Sequence, residues 1–146
     1  MASTANAVTT FLNVDLDLRA HKGELKELLR YIDPFVLVLH EIEREASVEL
    51  NQQCASLEET LVGFIEVIQG LPQQAKDLWN QCEYRRFNVG IQAENTPREE
   101  HFSVSSQVIA RLADIRSEIL ITVYAPIDTA PPGSTYVGSS PINDVE

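Results

Sequence analysis

Apolar and polar side chains alternate through residues 10–18 with the period of a β-strand. Leu12, Val14, Leu16 and Leu18 fall in one row, and Asn13, Asp15 and Asp17 fall in the other. The apolar row has to be covered by the rest of the chain, whereas the amide and carboxylates have to stay hydrated or meet a partner. This strand therefore divides the protein into a core side and a polar side.

Downstream the period changes. After His21-Lys22-Gly23, Leu25, Leu28, Leu29 and Ile32 recur along one helical face, and Asp33-Pro34 ends the helix because proline disfavours helical backbone in the preceding residue. Residues 35–39, Phe-Val-Leu-Val-Leu, are apolar on both faces. They are the strongest candidate for the middle of a sheet, with a strand running from a buried edge into an exposed hairpin as the alternative. A charged tip, Glu43-Arg44-Glu45, leads into a second strand in which Ala46, Val48 and Leu50 alternate with Ser47, Glu49 and Asn51, completing a hairpin.

Ser56-Leu57-Glu58-Glu59 has the form of a capping box, and Leu57, Leu61, Phe64, Ile65 and Ile68 line the inner face of the helix it opens. Gly70-Leu71-Pro72 interrupts that helix. A further helical segment carries Ala75, Leu78, Trp79 and Cys82 inward, with Trp79 at the core edge and its indole N–H requiring an acceptor. Strand alternation returns over residues 85–94, where Phe87, Val89, Ile91 and Ala93 oppose Arg86, Asn88, Gly90, Gln92 and Glu94. A helix is expected over residues 103–116, with Val104, Val108, Leu112 and Ile115 aligned and Ser103 or Ser105 as its cap. Residues 118–125 form the last strand, with Ile119, Ile121 and Val123 as its inner row and Thr122 and Tyr124 as its outer row.

The resulting order, β-α-β-β-α-α-β-α-β, predicts an α+β two-layer sandwich: a mixed five-stranded sheet with its helices packed on one face. Residues 10–126 make one domain in this reading. Residues 1–9 are small and polar, with disorder expected, and residues 127–146 form a low-order tail marked by Pro131-Pro132-Gly133 and Ser139-Ser140-Pro141.

Composition narrows the partner classes. Eleven Lys and Arg against 22 Asp and Glu leave a net charge of -11 in 146 residues, which repels nucleic acids and anionic membranes and favours basic proteins. The N-terminus lacks the basic and apolar regions of a signal peptide, and residues 35–39 are too short to cross a bilayer. Cys54 and Cys82 have no metal-ligand spacing and read as reduced thiols, so a cytoplasmic location is expected.

The block Phe87-Asn88-Val89-Gly90-Ile91, with residues 104–124 ending in Ile119-Leu120-Ile121-Thr122-Val123-Tyr124, resembles the C-terminal half of small bacterial proteins of unknown function. The opening Phe11-Leu12-Asn13-Val14-Asp15-Leu16-Asp17 resembles the start of some of the same group. The resemblance implies a bacterial, cytosolic domain and supplies no reaction or catalytic residue.

Candidate chemistry is sparse. Asp15 and Asp17 project from one strand face and could share a hard cation, but no phosphate-cradling loop or second metal motif accompanies them, and a hydrated acidic row is the simpler account. His40-Glu41 lacks the second histidine of a HExxH helix, since Arg44 stands in its place. Glu99-Glu100-His101 reads as a solvated loop. Arg85 and Arg86 could contact an anion in bidentate fashion or pair with the surrounding acids.

No catalytic residue, metal site or cofactor is assigned, and the balance favours a non-enzymatic protein. The expected working surface is the helix-free sheet face bearing Asn13, Asp15, Asp17, Glu49, Asn88, Gln92, Glu94 and Tyr124, which suits a basic protein partner. An immunity or inhibitor protein against a basic bacterial toxin is the most concrete version. The alternatives are a small-ligand or metal-dependent enzyme using the Asp15/Asp17 face and a homodimeric structural domain.

Overall fold

A computed structural model describes residues 7–52 and 54–126. Its strands are β1 (Thr10–Arg19), β2 (Val36–Ile42), β3 (Glu45–Leu50), β4 (Tyr84–Gln92) and β5 (Glu118–Tyr124). Its helices are α1 (Lys22–Ile32), α2 (Leu57–Gln69), α3 (Gln73–Gln81) and α4 (Ser106–Asp114), with a 3-10 turn at Asp33–Phe35. The strands form one sheet in the order β2-β3-β1-β4-β5, antiparallel except for the β4–β5 pair. The fold is therefore the expected α+β sandwich with a mixed five-stranded sheet.

One layer of apolar side chains holds sheet and helices together. Val14, Leu16 and Leu18 of β1, Ala46 and Val48 of β3, and Phe87 and Val89 of β4 are buried on the helix side. Leu25, Leu28 and Ile32 of α1, and Leu61, Phe64, Ile65 and Ile68 of α2, meet them there, with Phe64 and Phe87 in tilted ring contact at 5.1 Å between centroids. Both rows follow the strand and helix periods of the sequence.

Helix ends use the chemistry the sequence provides. At the start of α2, Ser56 Oγ accepts the Glu59 N–H at 3.1 Å, while Glu59 Oε1 accepts the Ala55 N–H at 3.2 Å. Ser105 caps α4 by accepting the Val108 N–H at 3.3 Å. The helix begins later than the sequence pattern suggests, because Val104 packs against the core from the preceding extended segment.

Several expectations are corrected. Residues 35–39 do not lie at the centre of the sheet: β2 is an outermost strand, with Leu37, Val38 and Leu39 exposed. β3 pairs with β2 on one edge and β1 on the other, and among the described residues no strand pairs with the far edge of β2. The opening strand is also less regular than its alternation implies. A bulge between Phe11 and Asn13 inserts one residue, so Phe11 takes the core-facing position and Leu12 turns out to the open face, half exposed. Ile119, Ile121 and Val123 lie in register with the core-facing Phe87, Val89 and Ile91, yet all three are exposed, because among the described residues no helix reaches over β5.

Of the N-terminal residues expected to be disordered, 7–9 are held against the loop after β4. Thr9 N donates to Thr96 O at 3.0 Å, and Thr96 Oγ1 donates to Ala7 O at 3.1 Å. Residues 1–6 and the tail from 127 onward lie outside the described residues. No helix among the described residues is long and apolar enough to cross a membrane.

Candidate functional site: the open face of the sheet

The helices all pack on one side, and the opposite side of the sheet is bare. β1 and β3 lie side by side at its centre, with Asp17 opposite Ser47. On the other flank of β1, Asp15 stands opposite Asn88 and Asp17 opposite Arg86 of β4. Strand alternation thus brings Asn13, Asp15, Asp17, Glu49 and Asn88 onto one surface from three neighbouring strands.

Their hydrogen bonds are local. Asn13 Nδ2 donates to Glu49 Oε1 at 2.8 Å, Ser47 Oγ donates to Asp17 Oδ1 at 2.8 Å, and Thr122 Oγ1 donates to Asn88 Oδ1 at 2.7 Å. Among the described residues none of Asp15, Asp17 and Glu49 is in an ion pair. Partial burial, followed by the charges of Asp17 and Glu49, pushes the Asp15 carboxyl above its ordinary value. The three carboxylates therefore make a negative centre in which none is held in an ion pair, with the Arg86 guanidinium, across from Asp17 and bonded to Glu118, as the nearby positive charge.

An apolar corner adjoins this centre. Leu12, turned outward by the bulge, and Tyr124 of β5 flank Gly90, and both are half exposed. Sequence reading puts Leu12 in the core row and so misses it. A bulge of this kind leaves no signal in a run that alternates without a break.

The remaining expected residues divide. Gln92 is at the sheet's end, where its Nε2 donates to Ala125 O at 2.9 Å. Glu94 lies beyond the end of β4 and is tied through its backbone to Thr9, with Glu94 N donating to Thr9 Oγ1 at 3.0 Å. Arg85 and Arg86 do not converge into an anion clamp. Arg85 donates from Nη1 to the carbonyl oxygens of Cys82 at 2.7 Å and Trp79 at 3.0 Å, and from Nε to Arg116 O at 2.8 Å. Arg86 faces the other way, pairs with Glu118 at 2.9 Å and lies over the Tyr84 ring at 4.0 Å.

Among the described residues the face assembles no nucleophile–base pair and no group of metal ligands. His40, Ser47 and Asp17 stand in one row across β2, β3 and β1, but Ser47 donates its proton directly to Asp17 and has no bond to His40, so no relay exists. No group of His, Cys, Asp and Glu side chains among the described residues has the arrangement of a metal site. Glu99 and His101 pair at 3.0 Å on a fully solvated loop. Cys82 is buried, and that burial, opposed by Arg85, pushes its thiol up to about 11.

Cavities lie elsewhere. A groove of about 420 Å³ runs between α2 and the β3 end, lined by Phe35, Leu50, Cys54, Gly63, Val67 and Leu71. A smaller one of about 310 Å³ touches the open face only at its margin, through Leu12, Asn13 and Glu49. Asp15 and Asp17 line neither. Comparison with protein-family models, with curated proteins and with solved structures finds no match to this chain.

Proposed function

We propose that the protein is a non-enzymatic binding module whose open sheet face recognises a basic protein. The observation that carries this reading is the cluster of Asp15, Asp17 and Glu49, none of them in an ion pair, on a helix-free surface beside the exposed Leu12 and Tyr124. Holding like charges together is unfavourable in the isolated chain, and a partner's Lys or Arg side chains would relieve it. Tyr124 and Leu12 supply apolar contact area next to the charges, the combination that anchors protein interfaces. A net charge of -11 adds long-range attraction for a cationic partner.

The finer version of this reading is an immunity or inhibitor protein of the bacterial cytoplasm that neutralises a basic toxin. Small size, acidity and an open, helix-free surface support it. The test is capture of partners from the source cell by the full chain and by a triple variant, Asp15→Asn, Asp17→Asn and Glu49→Gln. A basic protein held by the native chain and released by the variant and by added salt is expected. The same set of captured proteins on both baits would overturn the reading.

A further inference from the structure

The two edges of the sheet are built differently. β2 carries a bulge between Val38 and His40, and Glu41 on that strand pairs with Lys26. Bulges and charges of this kind keep an edge from adding another strand. β5 has neither defence. Its register with β4 is unbroken from Glu118 to Tyr124, and its one charge, Glu118, is already neutralised by Arg86.

Among the described residues, no strand pairs with the far edge of β5. Ala93 N donates to Tyr124 O at 2.8 Å, so the backbone groups of Tyr124 face β4, and by strand alternation those of Thr122 and Leu120 do too. The N–H and C=O groups of Ile119, Ile121 and Val123 consequently point away from the sheet. Side chains along the strand are as open as its backbone: Ile119, Leu120, Ile121, Val123 and Tyr124 are between 41% and 60% exposed, as is Ile109 of α4 at 55%.

We infer that β5 pairs antiparallel with β5 of a second copy, joining two sheets into one. A twofold axis through Ile121 sets Ile119 opposite the partner's Val123 and Ile121 opposite the partner's Ile121. Every residue with outward backbone groups then meets another, and each such pair exchanges two hydrogen bonds. The same register sets Glu118 opposite the partner's Tyr124, so no two carboxylates meet. For two chains that each carry -11, this nearly uncharged strand is where a second copy is least repelled.

The half-exposed side chains of β5 and Ile109 present roughly 500 Å² per copy before the strand backbone is counted, against roughly 800 Å² on each side of a standard interface. The dimer is accordingly in reversible, concentration-dependent exchange. It keeps the open faces of both copies on one side of the joined sheet. It also has a salt dependence opposite to that of a basic partner: added salt screens the repulsion between copies and tightens the dimer.

Sedimentation equilibrium of the full chain over a wide concentration range tests this. A monomer–dimer equilibrium that shifts toward dimer with salt is expected, and Ile121→Lys should leave a folded monomer by circular dichroism. Independently of that variant, Ile121→Cys and Val123→Cys are compared in a Cys54→Ser background under mild oxidation. Backbone-bonded antiparallel pairs hold their Cα atoms about 5.5 Å apart, within disulfide reach, so Ile121→Cys should cross-link across the axis. Val123→Cys lies several residues from its own symmetry mate and should not. Three results would overturn the proposal: a full chain that stays monomeric throughout, a dimer undisturbed by Ile121→Lys, or equal cross-linking by the two cysteine variants. A monomer with β5 amides protected from hydrogen exchange would assign the edge to another segment of the chain.

Discussion

The indole N–H of Trp79 donates to the carbonyl oxygen of Ile115 at 2.7 Å, in a buried setting that ties α3 to the end of α4. This bond joins the helical pair before β4 to the crossover that delivers β5. Replacing Trp79 by Phe keeps much of the apolar volume but leaves the Ile115 carbonyl without its donor. A loss of about 1–3 kcal/mol in urea unfolding is expected. Trp79→Ala should cost about 3–5 kcal/mol, because it also opens a cavity.

Ser56 should behave as a helix cap and nothing more. Ser56→Ala removes the acceptor for the Glu59 N–H and is expected to cost about 1 kcal/mol in the same assay. Ser56→Asp, which restores an acceptor at the positive end of the α2 dipole, should recover most of it.

Arg85 and Arg86 are neighbours in sequence with opposite roles. Arg85 satisfies carbonyl oxygens at the end of α3 and beyond α4, so Arg85→Met should destabilise by about 1–3 kcal/mol. Arg86 makes a solvated ion pair, and Arg86→Met should change stability by less than about 1 kcal/mol. Equal losses for the two variants would contradict these assignments.

Asp15 is expected to oppose folding at neutral pH. Its carboxyl is raised in the folded state by burial and by Asp17 and Glu49, so the native chain holds a proton that the unfolded chain releases at the same pH. The contribution of this group to stability therefore falls as pH rises through the carboxylate range from the ordinary value of 3.8 upward. Asp15→Asn should be more stable than the native chain at pH 7, by less than about 1 kcal/mol given the partial solvation. The advantage should disappear below the ordinary carboxylate value, as thermal melts at several pH values would reveal. A stabilising change that weakens capture of the partner would be the trade expected of a binding surface.

Alkylation separates the two thiols. Cys82 is buried, with its titration pushed up to about 11, and Cys54 is partly exposed. Iodoacetamide at mildly alkaline pH should label Cys54 in the folded chain, and Cys82 only after denaturation, with mass spectrometry reading the sites.

Most elements were legible from the local pattern. The rows Val14, Leu16, Leu18 and Leu57, Leu61, Phe64, Ile65, Ile68 are buried in the structure as the sequence periods require. Period and burial are linked because each strand or helix has one face to cover, and that requirement is written residue by residue. The polar row of β1 was legible for the same reason, and with it the candidate face.

Tertiary structure alone decided three things. Which strands lie at the edges depends on pairing between distant segments, so an apolar run such as residues 35–39 can be outermost although its composition suits the centre. The bulge at Leu12 reverses one side chain through a mismatch of strand lengths that no residue type announces. The inner row of β5 follows the correct alternation but stays exposed, because the alternation specifies a face and not whether a helix covers it. Sequence determined which side chains share a surface; the packing of distant elements determined which of those surfaces remained open.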